Sequence, residues 1–109
     1  MKSLSESDWK VLRDLKPALL ERYCARALDD IRGAARAQDG EAHERYLGLV
    51  ELVRRRDKKL ARMFDDLRRS NGLLKLALMY ESRLLTPEEF RRFGAETRKT
   101  IESVVAGGA

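Results

Sequence analysis

An all-α fold is what this sequence predicts, and three observations carry that expectation. Charged residues make up 38% of the 109-residue chain and aromatics only 6%, a balance of solvated helices rather than of sheets with β-branched and aromatic faces. A seven-residue apolar repeat runs from His43 to Leu78, with Val50, Asp57, Phe64, Asn71 and Leu78 in one column and Tyr46, Val53, Leu60, Leu67 and Leu74 in the other. Helix-starting residues stand at Ser5 to Asp8 and again at Thr86 to Glu89. The expected architecture is a long antiparallel helical hairpin plus a C-terminal helix, bundle-like and completed by dimerisation. It forms a single domain over residues 1–109, because a chain of this length has room for one core.

Helix one is expected from about residue 5 to 37. Ser5 or Ser7 caps it, Asp8 follows Ser5 by three as in a capping box, and the acidic groups favour the positive end of the helix. Its apolar face runs Trp9, Leu12, Leu15, Leu19, Tyr23, Ala27, Leu28, Ile31 and Ala35. Pro17 removes a backbone donor, so a kink is expected near Leu15 and Lys16; the apolar phase continues across it.

Gln38-Asp39-Gly40 reads as the hairpin loop, with Gly40 supplying positive φ and Asp39 capping the next turn. Helix two is expected from about residue 41 to 82, with a weak point at Gly72. Asn71-Gly72 resembles a C-terminal cap, but Leu74 and Leu78 stay in phase with Leu67 and Asn71, which favours one continuous helix. Residues 73–80 are apolar on nearly every side, and a helix about 60 Å long is too long for two others to cover. A second copy is the expected cover, with Phe64, Leu67, Leu74, Leu78, Met79 and Tyr80 at the contact.

Leu85-Thr86-Pro87-Glu88-Glu89-Phe90 is the sharpest local signal. Thr86 is the N-cap, Pro87 takes the first helical position, Glu89 closes a capping box, and Leu85 staples to Phe90. The final helix is expected over about 86–105, with Phe90, Phe93, Thr97, Ile101 and Val104 as its stripe.

The polar residues of the repeat are the first functional candidates. Arg56, Asp57 and Asn71 form a candidate polar layer, because a carboxylate in an apolar seam must be paired or hydrogen-bonded. Pairing of Asp57 with Arg56, Arg22 or Arg26 would fix helix register. Residues 41–72 also hold 9 basic against 6 acidic groups, the largest share of a net charge of +5. Arg54, Arg55, Lys58, Lys59, Arg62 and Arg69 are candidate phosphate contacts; Arg55, Arg62 and Arg69 recur every seven residues, a row about 20 Å long. The competing expectation is a solvated face in which Glu51, Asp65 and Asp66 neutralise the row, and no aromatic interleaves it for base stacking.

Catalytic chemistry finds no motif. Cys24 is the only cysteine and His43 the only histidine; in an antiparallel hairpin they lie about three turns apart, too far for a thiolate dyad. Glu41-Ala42-His43-Glu44 lacks the spacing of a bundle metal site. No cofactor and no enzymatic activity are therefore expected. The opening Met-Lys-Ser-Leu-Ser-Glu-Ser-Asp has no apolar signal core, and no apolar run approaches the ~20 residues of a membrane span. A cytoplasmic, homodimeric, helical protein-interaction or regulatory module follows, with non-specific nucleic-acid binding through the basic face of helix two as the alternative.

Overall fold

The computed structural model describes residues 2–107, and among these there are five helices and no strand. They are α1 (Glu6–Arg36), α2 (Ala42–Phe64), α3 (Gly72–Glu81), α4 (Pro87–Phe90) and α5 (Ala95–Gly107). The all-α expectation holds. The chain forms an elongated body, 51 × 28 × 24 Å, in which the first half of α1 and the end of α2 join α3, α4 and α5 in a head. The second half of α1 and most of α2 extend from it as an antiparallel two-helix arm closed at Gly40.

Ser5 starts α1 as expected, its Oγ accepting the Asp8 N–H at 3.2 Å. The helix then passes unbroken through Pro17, and Leu12, Leu15, Leu19 and Tyr23 remain buried in one phase across it. Only one helical hydrogen bond is lost there, while the apolar stripe on both sides stays anchored in the core. At the arm's tip Gly40 takes φ +84°, but Glu41 rather than Asp39 stands at the N-cap of α2, with no side-chain cap.

Helix two does not run on to residue 82. It stops at Phe64, Asp65 turns extended, and Asp66 adopts a left-handed φ of 52°. Several bonds hold this break. The Asn71 amide donates to the Asp66 carbonyl at 2.8 Å and accepts the Arg68 N–H at 2.9 Å. Leu4 and Arg69 are joined in both directions, the Leu4 N–H to the Arg69 carbonyl and Arg69 Nε to the Leu4 carbonyl. The Lys75 ammonium reaches back to the Arg62 carbonyl at 2.9 Å, satisfying one of the free acceptors at the negative end of α2. Gly72 is therefore the first residue of α3 rather than a flaw within α2. A Cβ there would lie 2.6 Å from Leu4 Cδ1, so its bare backbone lets the buried Leu4 seat.

The break changes what covers residues 73–80. Folded back against α1, α2 and α5, α3 buries Leu73, Leu76, Ala77 and Met79 in the chain's own core, where a partner had been expected to shield them. Arg83 closes α3 with φ +55°, while the Leu84 N–H returns to the Met79 carbonyl and Leu84 itself enters the core.

The last helix is likewise divided. Thr86 and Glu89 form the complete capping box with Pro87 at the helix start, but α4 ends after one turn. Its continuation is diverted by Asp8. That carboxylate, 5% exposed, accepts the Gly94 N–H at 2.9 Å, the donor a continuous helix would give to the Phe90 carbonyl. Its other oxygen accepts Thr97 Oγ1 at 2.5 Å. A charge from α1 thereby starts α5 and binds the two ends of the chain together. The expected Ser5 capping box is accordingly half made, because the Asp8 side chain is engaged elsewhere.

Candidate functional site

The candidate surface lies on the arm. From Cys24 through Arg62 no residue is fully buried, in contrast to the head on either side of that stretch in the chain. Within it Leu28, Tyr46, Leu47 and Val53 are 58%, 64%, 52% and 43% exposed. The arm's own helices meet through half-buried Ile31, Leu49 and Leu52 and a few polar ties. Tyr23 Oη donates to the Arg56 carbonyl at 2.8 Å at the arm's base, and burial pushes its phenol pKa up. Arg56 donates through Nε and Nη2 to Asp30 Oδ2, at 3.2 and 3.1 Å.

These ties relocate the expected polar layer. Arg56 pairs with Asp30 of α1, Asp57 stands exposed on the outer side of α2, and Asn71 braces the turn before α3. The three residues do not converge, because the seam that would have aligned them ends at Phe64. The expected contact residues separate in the same way. Phe64 and Met79 are core residues of this chain, Leu67, Leu78 and Tyr80 are half-buried against the core, and only Leu74, 50% exposed, remains open on α3. Tyr80 is occupied by Phe90, with ring centroids 4.5 Å apart. Sequence reasoning passed over Leu47, which the repeat places outside both columns, and placed Leu28 on the buried face of helix one, where the structure leaves it exposed.

Of the expected basic row, the residues that fall on α2 keep their place, and the one beyond its end does not. Arg69 is turned onto Leu4 and leaves the row. Among the described residues, the side chains of Arg54, Arg55, Lys58, Lys59 and Arg62 make no ion pair and no hydrogen bond, so the neutralising contacts with Glu51, Asp65 and Asp66 are not formed. Arg55, Lys58, Lys59 and Arg62 line a groove of about 290 Å³ between α2 and α3, floored by Met63 and Leu78 and closed by Glu81 and Ser82. The arrangement offers clustered positive charge beside an apolar strip and no reacting constellation. Cys24 is half-buried in α1, and His43 is exposed at the start of α2.

One further charged site is structural. Arg22 makes two bonds to Glu89, Nη1 to Oε1 at 2.8 Å and Nη2 to Oε2 at 3.1 Å, and its Nη1 also donates to the Leu84 carbonyl. The Arg22 hydrogen bonds hold the Glu89 carboxyl below its ordinary pKa and raise that of the guanidinium. Among the described residues no helix is long and apolar enough to cross a membrane.

The fold and surface define a class, a compact helical head bearing a two-helix arm. Comparison with protein-family models, curated proteins and solved structures found no match to this chain.

Proposed function

We propose that this protein is a non-catalytic helical interaction module whose arm is its docking surface. One observation carries the proposal: the arm exposes Leu28, Tyr46, Leu47 and Val53 while contributing nothing fully buried from Cys24 to Arg62. Full burial of such a side chain supplies ~1.5–3 kcal/mol, and each of these still has about half of that to gain. A two-helix hairpin has no second layer to bury them, whereas a docked helical surface provides one.

The test separates docking from folding. Leu47→Asp with Val53→Asp should abolish association measured by sedimentation, while the thermal stability of the dilute single chain changes by no more than about 0.5 kcal/mol, as for exposed positions. A loss of several kcal/mol from the dilute chain would make these residues part of the monomer's core and sink the proposal.

A second reading, non-specific nucleic-acid binding, is favoured by the five unpaired cations at Arg54, Arg55, Lys58, Lys59 and Arg62. Phosphate contacts of this kind weaken steeply with salt. Titration of labelled duplex DNA across a salt series checks it, and no binding at low salt excludes it.

A further inference from the structure

We propose that the groove between α2 and α3 is a second docking site, one that takes an acidic amphipathic helix of another protein. It is separate from the arm's apolar residues: at 100° per residue, Arg55, Lys58, Lys59 and Arg62 lie about 120–180° round α2 from Val53. Two observations point to this occupant, a cluster of cations without counter-charge and an apolar edge running beside it.

The four cations stand at i, i+3, i+4 and i+7, so they share one side of α2 over about 10 Å of its length. Arg55 has Lys58 and Lys59 one turn ahead of it, and Arg62 has the same two one turn behind. Like charges at this spacing oppose one another. The negative end of α2 favours Arg62, which lies in the last turn, but the effect does not extend to the other three. Among the described residues no carboxylate pairs with any of the four. Glu81 is the one acidic residue lining the groove, and it too makes no ion pair. A partner's carboxylates would relieve the mutual repulsion of the cluster.

The apolar edge belongs to α3. Leu78 lines the groove and is half-buried, and Leu74, one turn earlier on the same side of the helix, is 50% exposed. Because α3 folds back along the end of α2, with Lys75 on the Arg62 carbonyl, these leucines run alongside the cations. A helix laid in the groove sets its apolar stripe on Leu74 and Leu78, and its acidic flank on Arg55, Lys58, Lys59 and Arg62. A phosphate backbone uses only half of this surface. It has no apolar face for the leucines, no aromatic ring lines the groove for a base to stack on, and with Arg69 turned onto Leu4 the basic row is about half its expected length.

The experiment is fluorescence anisotropy of a labelled peptide of about 20 residues, long enough to hold a helix, with leucine at two positions of each heptad and glutamate along one flank of that stripe. Titrated with the full chain at physiological salt, it should bind in the micromolar range. Replacing the peptide's glutamates by glutamine, or its leucines by alanine, should each weaken binding at least about tenfold. On the protein, Lys59→Glu with Arg62→Glu should weaken it at least about tenfold and Leu74→Ser about fivefold, whereas Arg54→Ala, which removes an exposed cation outside the groove, should change it less than about twofold. All four positions are exposed, so unchanged helicity and melting temperature are expected of each variant. No binding of the leucine and glutamate peptide overturns the proposal. Binding that ignores Leu74→Ser and the loss of the peptide's leucines also overturns it, reducing the site to plain charge attraction. Labelled duplex DNA that binds more tightly than the peptide, needs Arg54 as much as Arg62 and ignores Leu74→Ser assigns the cations to phosphate, and overturns it as well. Leu47→Asp with Val53→Asp should leave peptide binding unchanged; its loss there would place the peptide on the arm's apolar residues instead of the groove.

Discussion

Glu89 is the carboxylate on which the loop between α3 and α4 depends, and its removal gives a sharp test of how the head is held together. Its oxygens accept two bonds from Arg22, at 2.8 and 3.1 Å, and one from the Thr86 N–H at 2.8 Å. The Arg22 and Glu89 side chains are 28% and 16% exposed, so water screens the pair only in part. A charge-assisted, paired contact of this kind contributes ~1.5–3 kcal/mol, and the cap about 1 kcal/mol more. Glu89→Ala should therefore cost about 3 kcal/mol, and Glu89→Gln, which keeps an acceptor for Thr86, about 2 kcal/mol. Urea unfolding followed by circular dichroism at low protein concentration measures both. A double-mutant cycle with Arg22→Met should return a coupling of about 2 kcal/mol. A coupling below about 0.5 kcal/mol would show the pair acting as an ordinary surface ion pair and refute this account of the loop.

The same carboxylate sets an acid limit. Its pKa is lowered in the fold from the usual 4.5, so the native state binds fewer protons and the stabilisation is complete above that value. It is lost as the pH falls below 4.5 and through the depressed native pKa, and Glu89→Gln should flatten this part of the stability profile. Gly72→Ala should destabilise by ~1–3 kcal/mol in urea unfolding, because the new Cβ meets Leu4 at 2.6 Å and Leu4 is itself buried; an unchanged midpoint would mean that Leu4 moves freely. Arg83→Gly should stabilise by about 1 kcal/mol, relieving a left-handed residue at the end of α3 whose φ is +55°. A rise in melting temperature would register it, and a fall would mean that the arginine side chain outweighs the strain.

What could be read in the sequence was local chemistry. Thr86, Pro87 and Glu89 state a helix start within four residues, and the stripe from Leu12 to Tyr23 keeps its phase whatever Pro17 removes. The errors came from long-range bonds. Heptad phase carried helix two across residues 65–71, yet the turn there is fixed by Asn71, by Lys75 on the Arg62 carbonyl, and by Leu4 from the start of the chain. Asp8 interrupts the last helix in the same way, from 86 residues away in sequence. A pattern can show that residues 73–80 need burial, but not that the chain turns back to provide it. On the candidate surface, the charge block was legible because it is contiguous. Its freedom from carboxylates was not, since i to i+4 spacing permits pairs without enforcing them.

Because the arm lends no fully buried residue to the head between Cys24 and Arg62, its length is free of the head's packing. Seven residues added to α1 and seven to α2 would move the Gly40 turn outward by about 10 Å and leave every core contact where it is. The arm can thus be lengthened or shortened in paired heptads, a dimension of the molecule that the head does not set.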